Sequence, residues 1–202
     1  MSDVPENNLS LRKRQAKSTR NRIYNTAFEL ITQNGFDSVT VDEICRQSGV
    51  KKGAFYHHFK SKDDIVIEAY KLIDEDFIHE CELLPPEINN EQKIFFTVLY
   101  QARRAVSEDV SFVSQIYKSQ IDTGTSFFVS PERPFFKMIY NALEDGQIKG
   151  EFRTGMSPHE LTKLVLSISR GIIYDWCMDK GEYDIVSFIE QSFRLFFSGL
   201  KR

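Results

Sequence analysis

Thr40-Val41-Asp42-Glu43-Ile44-Cys45-Arg46-Gln47-Ser48-Gly49, continued by Val50-Lys51-Lys52-Gly53-Ala54-Phe55-Tyr56-His57-His58-Phe59, is the stretch whose reading decides the fold. Thr40 and Glu43 have the spacing of a capping box: the hydroxyl can accept from the Glu43 amide while the carboxylate returns to the Thr40 amide, so a helix begins at Val41. That helix turns Val41, Ile44 and Cys45 inward and stops at Ser48-Gly49, where glycine allows the positive φ of a sharp reversal. A short helix then runs from Lys52 to Phe59. Upstream, Ile23, Ala27, Leu30 and Ile31 share one face of a helix that starts near Thr19 and ends at Asn34-Gly35. Three helices in this order form a helix-turn-helix over residues 40–59, the arrangement that places its last helix in a DNA major groove.

The residue types on that last helix suit a duplex. Lys51, Lys52 and Lys60 can neutralise phosphates, and the Tyr56 hydroxyl and His57 imidazole can donate to phosphate oxygens. Gly53 and Ala54 are small enough to let backbone approach base edges. Thr40 sits at a positive helix end suited to phosphate. Phe55 and Phe59 are left to anchor the helix from beneath.

Charge supports the same reading. The chain of 202 residues has a formal net charge of -3, which alone argues against a nucleic-acid partner. The average conceals an asymmetry: residues 9–60 hold 10 Lys or Arg against 4 Asp or Glu, whereas residues 61–202 hold 16 against 23. The head is basic and the body acidic. Residues 1–16, with Pro5 and the cluster Arg12-Lys13-Arg14, read as a flexible basic arm.

From Val41 to Asp63 the sequence resembles the signature of the TetR (TetR/AcrR-type) family of bacterial regulators. The resemblance reaches back to about Lys17, through Arg22-Ile23 and Asn34-Gly35-Phe36, and forward to about Phe77. Two positions depart from the family pattern: Lys51 stands where a capping Ser or Thr is usual, and Cys45 where Ala is usual. Lysine cannot accept amides, so the cap is lost at a cost of about 1 kcal/mol. The resemblance implies an all-α, nine-helix, two-domain architecture: a DNA-binding domain over 17–77 and a ligand-binding and dimerisation domain over 78–202. It also implies that ligand displaces the fourth helix and spreads the two recognition helices of a dimer.

The remaining helices are legible from periodicity and caps. Ser61 with Asp64 is expected to cap a fourth helix through Ile65, Ala69, Leu72, Ile73 and Phe77 to about Glu80. Five more are expected over Asn90–Ser107, Asp109–Ile121, Pro134–Asp145, Pro158–Asp179 and Asp184–Leu200. Ser157-Pro158-His159-Glu160 combines a capping box with proline at the first helical position. Leu161, Leu164, Ile168 and Ile172 on one of the last two helices, with Ile185, Phe188, Ile189, Phe193 and Phe196 on the other, give more apolar face than one neighbour covers. They are the expected homodimer interface, a four-helix bundle.

Under the family resemblance, the aromatic residues of the second part supply a ligand cavity. Phe95, Phe112, Tyr117, Phe135, Tyr140, Tyr174 and Trp176 are its expected lining, with Arg103, Arg104, Arg170 and Asp175 as polar candidates. Such walls favour a hydrophobic or aromatic small-molecule inducer. The expected function is a homodimeric repressor, released by that inducer from a palindromic double-stranded operator. Alternatives are an activator or ligand-independent regulator controlled by a protein partner, and, remotely, an enzyme that keeps the helix-turn-helix as scaffold. No catalytic constellation stands out. No cofactor or metal is expected: His57 and His58 lie on a different helix from His79 and Cys81, and three scattered cysteines fit neither a disulfide framework nor a zinc site. The absence of a long apolar run or signal peptide points to the cytoplasm and away from membranes.

Overall fold

Helix α1 (Glu6–Asn34) is 29 residues long, because from Glu6 to Asn34 the chain contains neither proline nor glycine and is rich in good helix formers. The computed structural model describes residues 6–108, 110–123 and 127–201. The expected helix start near Thr19 is therefore corrected: residues 6–16 of the basic arm are helical, and residues 1–5 lie outside the described residues. Apolar periodicity begins only at Ile23, but helix propagation from a formed nucleus needs no buried face. At the other end Gly35 takes φ 77° and its amide donates to Ile31 O at 2.9 Å.

Helices α2 (Val41–Ser48) and α3 (Lys52–His58) follow the expected bounds to within a residue. Thr40 Oγ1 accepts from the Glu43 amide at 3.2 Å. The return half of that capping box is not made; Glu43 instead faces Arg46, one turn on. Gly49, at φ 65°, turns the chain, and the Val50 amide closes back on Cys45 O at 3.0 Å. Helix α4 (Asp63–Glu82) starts one residue later than a Ser61 cap would place it. Asp64 does not answer a Ser61 cap: its carboxylate accepts the Lys60 amide at 2.7 Å.

Five further helices complete an all-α chain: α5 (Asn90–Ser107), α6 (Val110–Thr123), α7 (Pro134–Ile148), α8 (Pro158–Met178) and α9 (Ile185–Leu200), with a 3-10 turn at Phe127–Val129. Among the described residues there are nine α-helices and no strand beyond a single bridge between Phe152 and Lys201. The Ser157–Glu160 capping box is formed on both sides, and Asn89 with Gln92 makes a second one at the start of α5.

The chain divides into two units, the first ending at Ala69 and the second beginning at Tyr70, ahead of the boundary expected after Phe77. The first unit has its own core of Ile23, Ala27, Ile31, Ile44, Phe55, Phe59 and Ile65, each 2% exposed or less. In the second, α5 packs against α6, α7, α8 and α9, and its Ile94, Val98 and Ala102 are fully buried. Gly146 of α7 lies directly under the buried Phe152 ring, where a Cβ would overlap ring carbons. Gly146→Ala is expected to destabilise the second unit by about 1–3 kcal/mol through overpacking, read from the denaturant midpoint at unchanged slope.

Candidate nucleic-acid interface and ligand cavity

The recognition surface is built from beneath. Phe55 and Phe59 are 0% and 2% exposed and touch each other at 5.9 Å between centroids, which fixes the rotation of α3 and presents its other face outward. On that face Lys51, Lys52, Gly53, Tyr56 and His57 are exposed and Ala54 is half-buried. Thr40 and Lys60 are exposed at the neighbouring helix ends. All eight DNA-facing candidates thus lie at or near the surface of one three-helix head. The Tyr56 ring packs edge-on against Phe55 at 5.4 Å, and its hydroxyl-bearing side is left free of the core.

Two cations missed as structural elements hold this head together. Arg20 on α1 pairs with both carboxylate oxygens of Glu68, at 2.5 and 2.8 Å, and its guanidinium lies 5.2 Å from the centre of the Phe59 ring. Lys62 donates to Val39 O at 2.7 Å and to Phe36 O, and sits over the Phe36 ring; burial pushes its pKa down. Lys52, by contrast, reaches back to Asp42 at 2.6 Å across exposed surface, and that hydrogen bond and charge push its pKa up. His58 is partly covered, which lowers its pKa, helped by the neighbouring His57 and Arg20.

The second unit encloses a cavity of about 50 Å³ bounded by α4, α5, α6, α7, α8 and the 3-10 turn. Of the expected residues, Phe135, Arg104 and Arg170 are there, with two further aromatics, Phe128 and Phe136. The other expected residues lie elsewhere. Phe95 stacks on Phe197 of α9, Arg103 is exposed, and Phe112 is buried outside the cavity lining. The Tyr140 hydroxyl donates to Glu144, and Trp176 Nε1 donates to Tyr183 O at 3.1 Å. Tyr117 and Tyr174 line an open groove that shares Phe128 and Arg170 with the cavity. Asp175 is exposed and accepts from the Tyr183 hydroxyl.

Sequence reading missed Gln101, Glu108, Ser130 and Arg133 on the cavity wall. A signal existed for two of them: Gln101 and Arg104 on α5 and Glu108 at its C-cap fall at spacings of three and four, polar interruptions beside the apolar stripe. Arg133 makes the most buried ion pair described, Nε to Asp74 Oδ2 at 3.0 Å and Nη2 to Oδ1 at 2.6 Å, with side chains 9% and 13% exposed. Arg170 donates to Phe128 O at 2.8 Å. Arg104 Nη2 donates to Glu108 Oε1 at 3.1 Å; burial pushes the Glu108 pKa up against the pull of that arginine.

The expected dimer interface is partly corrected. Leu161, Ile185, Ile189 and Phe193 are buried in the chain's own core, 4% exposed or less, since α8 and α9 pack on α5 and on each other. Ile168, Ile172 and Phe196 are half-buried, and Leu164 and Phe188 are exposed.

A three-helix head with a glycine turn before an exposed basic helix, followed by a larger helical unit with its own cavity, defines a class of helix-turn-helix regulators. The profile of bacterial regulatory proteins of the tetR family matches residues 23–69, and that of the YsiA-like protein C-terminal region matches residues 85–199. The fatty acid metabolism regulator protein of Bacillus subtilis (strain 168) is 22% identical over 182 residues, covering 89% of this chain and 94% of that one. The HTH-type transcriptional regulator AcrR of Shigella flexneri is 41% identical over 71 residues, 35% of this chain and 33% of that one. Among solved structures, the Bacillus subtilis regulator FadR in complex with stearoyl-CoA superposes with a TM-score of 0.65 at 19% identity, covering 88% of this chain and 97% of that one. The chain belongs to the tetR family of bacterial regulators and is a DNA-binding transcriptional regulator.

No side chain caps α3 at Lys51. Lys51→Ser supplies an acceptor for the orphan amides, so thermal unfolding of the DNA-free head is expected to be stabilised by about 0.5–1 kcal/mol; an unchanged or lower midpoint would show that these amides gain nothing from a cap.

Proposed function

We propose that the chain acts as a homodimeric repressor that binds a partly palindromic operator through α3 and leaves it when a small molecule enters the cavity of the second unit. The observation that carries the reading is the exposed face of α3, Lys51, Lys52, Tyr56 and His57, on a helix locked in rotation by two buried phenylalanines. Lysines there neutralise phosphates, and the small residues Gly53 and Ala54 open the base edges. The cavity and the likeness to a fold solved with stearoyl-CoA support control by a small molecule with an apolar body. Ligand needs to favour the released state by only about 1–3 kcal/mol to change operator affinity usefully.

Exposed apolar and small residues support pairing through α8 and α9. Leu164, Ser167, Gly171 and Met178 lie on the outer side of α8, and Phe188 and Leu195 on that of α9, all solvent-exposed in the single chain and spaced by three, four or seven residues. Serine and glycine at the centre of the stripe let a partner helix come close. Two copies of this pair give a four-helix interface with two-fold symmetry, which suits two major-groove half-sites.

Operator affinity for the promoter region beside the gene, measured as salt is varied, tests the DNA half of the reading. Lys52→Ala and Tyr56→Ala are each expected to weaken specific binding, and Lys52→Ala to reduce the salt slope by at most about one. Specific binding unchanged in both variants would place the interface elsewhere. For the dimer, Phe188→Asp and Leu195→Asp are expected to sediment as folded monomers with operator affinity lost. Phe193→Asp should instead fail to fold, because that ring is fully buried within its own chain. Folded dimers in both exposed variants would refute this interface.

A further inference from the structure

The cavity carries a polar demand that the chain itself does not meet. Among the described residues, two buried side-chain nitrogens have no hydrogen-bond partner, Gln101 Nε2 and Arg104 Nε. Both belong to residues lining this cavity, and both come from α5, three residues apart. The Gln101 oxygen is already engaged by the Ser169 hydroxyl at 3.2 Å, and Arg104 holds Glu108 through Nη2, which leaves Nε over. Arginine nitrogens can only donate, so a group that satisfies this pair must accept. Leaving such donors buried and unmet is destabilising.

The charge around them narrows the acceptor. The lining includes three arginines, Arg104, Arg133 and Arg170, against the single carboxylate of Glu108, with Asp74 paired to Arg133 from beside it. Charge-assisted hydrogen bonds are roughly twice as strong as neutral ones, and a guanidinium matches a carboxylate in shape. The rest of the wall is aliphatic or aromatic, including Ile73, Val113, Ile116, Leu166 and Phe136. At about 50 Å³ the empty space holds roughly one or two waters, so an apolar body enters by parting these side chains.

We propose that Gln101 and Arg104 form a head-group site for the carboxylate of an amphipathic monocarboxylic acid, whose apolar body lies among the aliphatic and aromatic residues of the same cavity. The inference rests on the ligand-released reading above and adds an anionic head to the hydrophobic or aromatic inducer expected from the sequence. The carboxylate accepts from Gln101 Nε2 and Arg104 Nε, and no bond is made or broken.

Calorimetric titration of the full-length protein without DNA, using octanoate and octan-1-ol as probes of equal chain length, separates head from body. Octanoate is expected to bind about tenfold more tightly than octanol. Gln101→Leu and Arg104→Lys are each expected to weaken octanoate about tenfold and leave octanol unchanged. Arg104→Lys keeps a cation beside Glu108 while removing Nε. Because Gln101→Leu also strips the Ser169 hydroxyl of its acceptor, melting without ligand is compared in Gln101→Leu combined with Ser169→Ala, where both partners of that bond leave together. The melting temperature should be unchanged or raised, because the donor removed has no acceptor to lose; a clear drop would mean that the donor is already satisfied and overturn the proposal. Equal affinity for acid and alcohol, or no octanoate binding, would overturn it as well. Stearoyl-CoA binding without octanoate binding would do the same while sparing the ligand-released reading. Octanoate binding that depends on both residues but leaves operator affinity unchanged would uphold the head-group site and remove the regulatory reading instead.

Discussion

Arg20 is the residue on which the DNA-binding head depends. A guanidinium that grips both oxygens of Glu68 and lies over the Phe59 ring ties three parts of the head, α1, the start of α4 and the end of α3, through one planar group. A lysine could supply the charge but not the fork and the face together. With the Glu68 side chain 16% exposed, the pair is screened less than an open surface bridge. Lys62 does the parallel work on the other side by meeting carbonyls at Phe36 and Val39 that would otherwise end the loop before α2 unpaired. The recognition helix is short, uncapped and held by two phenylalanines, so its orientation is set by these neighbours more than by its own hydrogen bonds.

The second unit follows a different logic. Its core is apolar and self-contained, yet Gln101 and Arg104 of α5, with Glu108 at its C-cap, line a space within it. Polar groups there are maintained against the cost of burial by partners: Asp74 for Arg133, Glu108 for Arg104, a backbone oxygen for Arg170. Among the described residues, Gln101 Nε2 and Arg104 Nε are the buried side-chain nitrogens left without a partner. Aromatic residues, numerous in this part, fill space between helices, as Phe95 does against Phe197.

How much of this could be read from sequence depended on whether the signal was local. Thr40, Gly49 and the Ser157-Pro158-His159-Glu160 run act within one turn of chain, and the helices they bound lie where expected. The start of α1 was misplaced because amphipathic periodicity begins at Ile23, while the helix itself is carried further back by propensity alone. Ser61 failed as a cap because Asp64, three residues on, reaches one residue further back and accepts the Lys60 amide instead. Apolar spacing on α8 and α9 identified buried faces without saying which chain buries them, so Ile189 and Phe193 could not be told from Phe188. The cavity was least legible, since Arg133 and Asp74 meet across 59 positions of sequence and no local pattern joins them.

The exposed bridge between Lys52 and Asp42 has a consequence for how the protein finds its site on a long duplex. A lysine that already has a carboxylate 2.6 Å away must give up that partner for each phosphate it meets, and the released carboxylate then repels the same backbone. Sequence-independent attraction is discounted at this point, while contacts to base edges are not. With Lys52 in the proposed interface, the head is expected to linger less on random DNA and to leave a larger share of its residence time to be decided by the bases under α3.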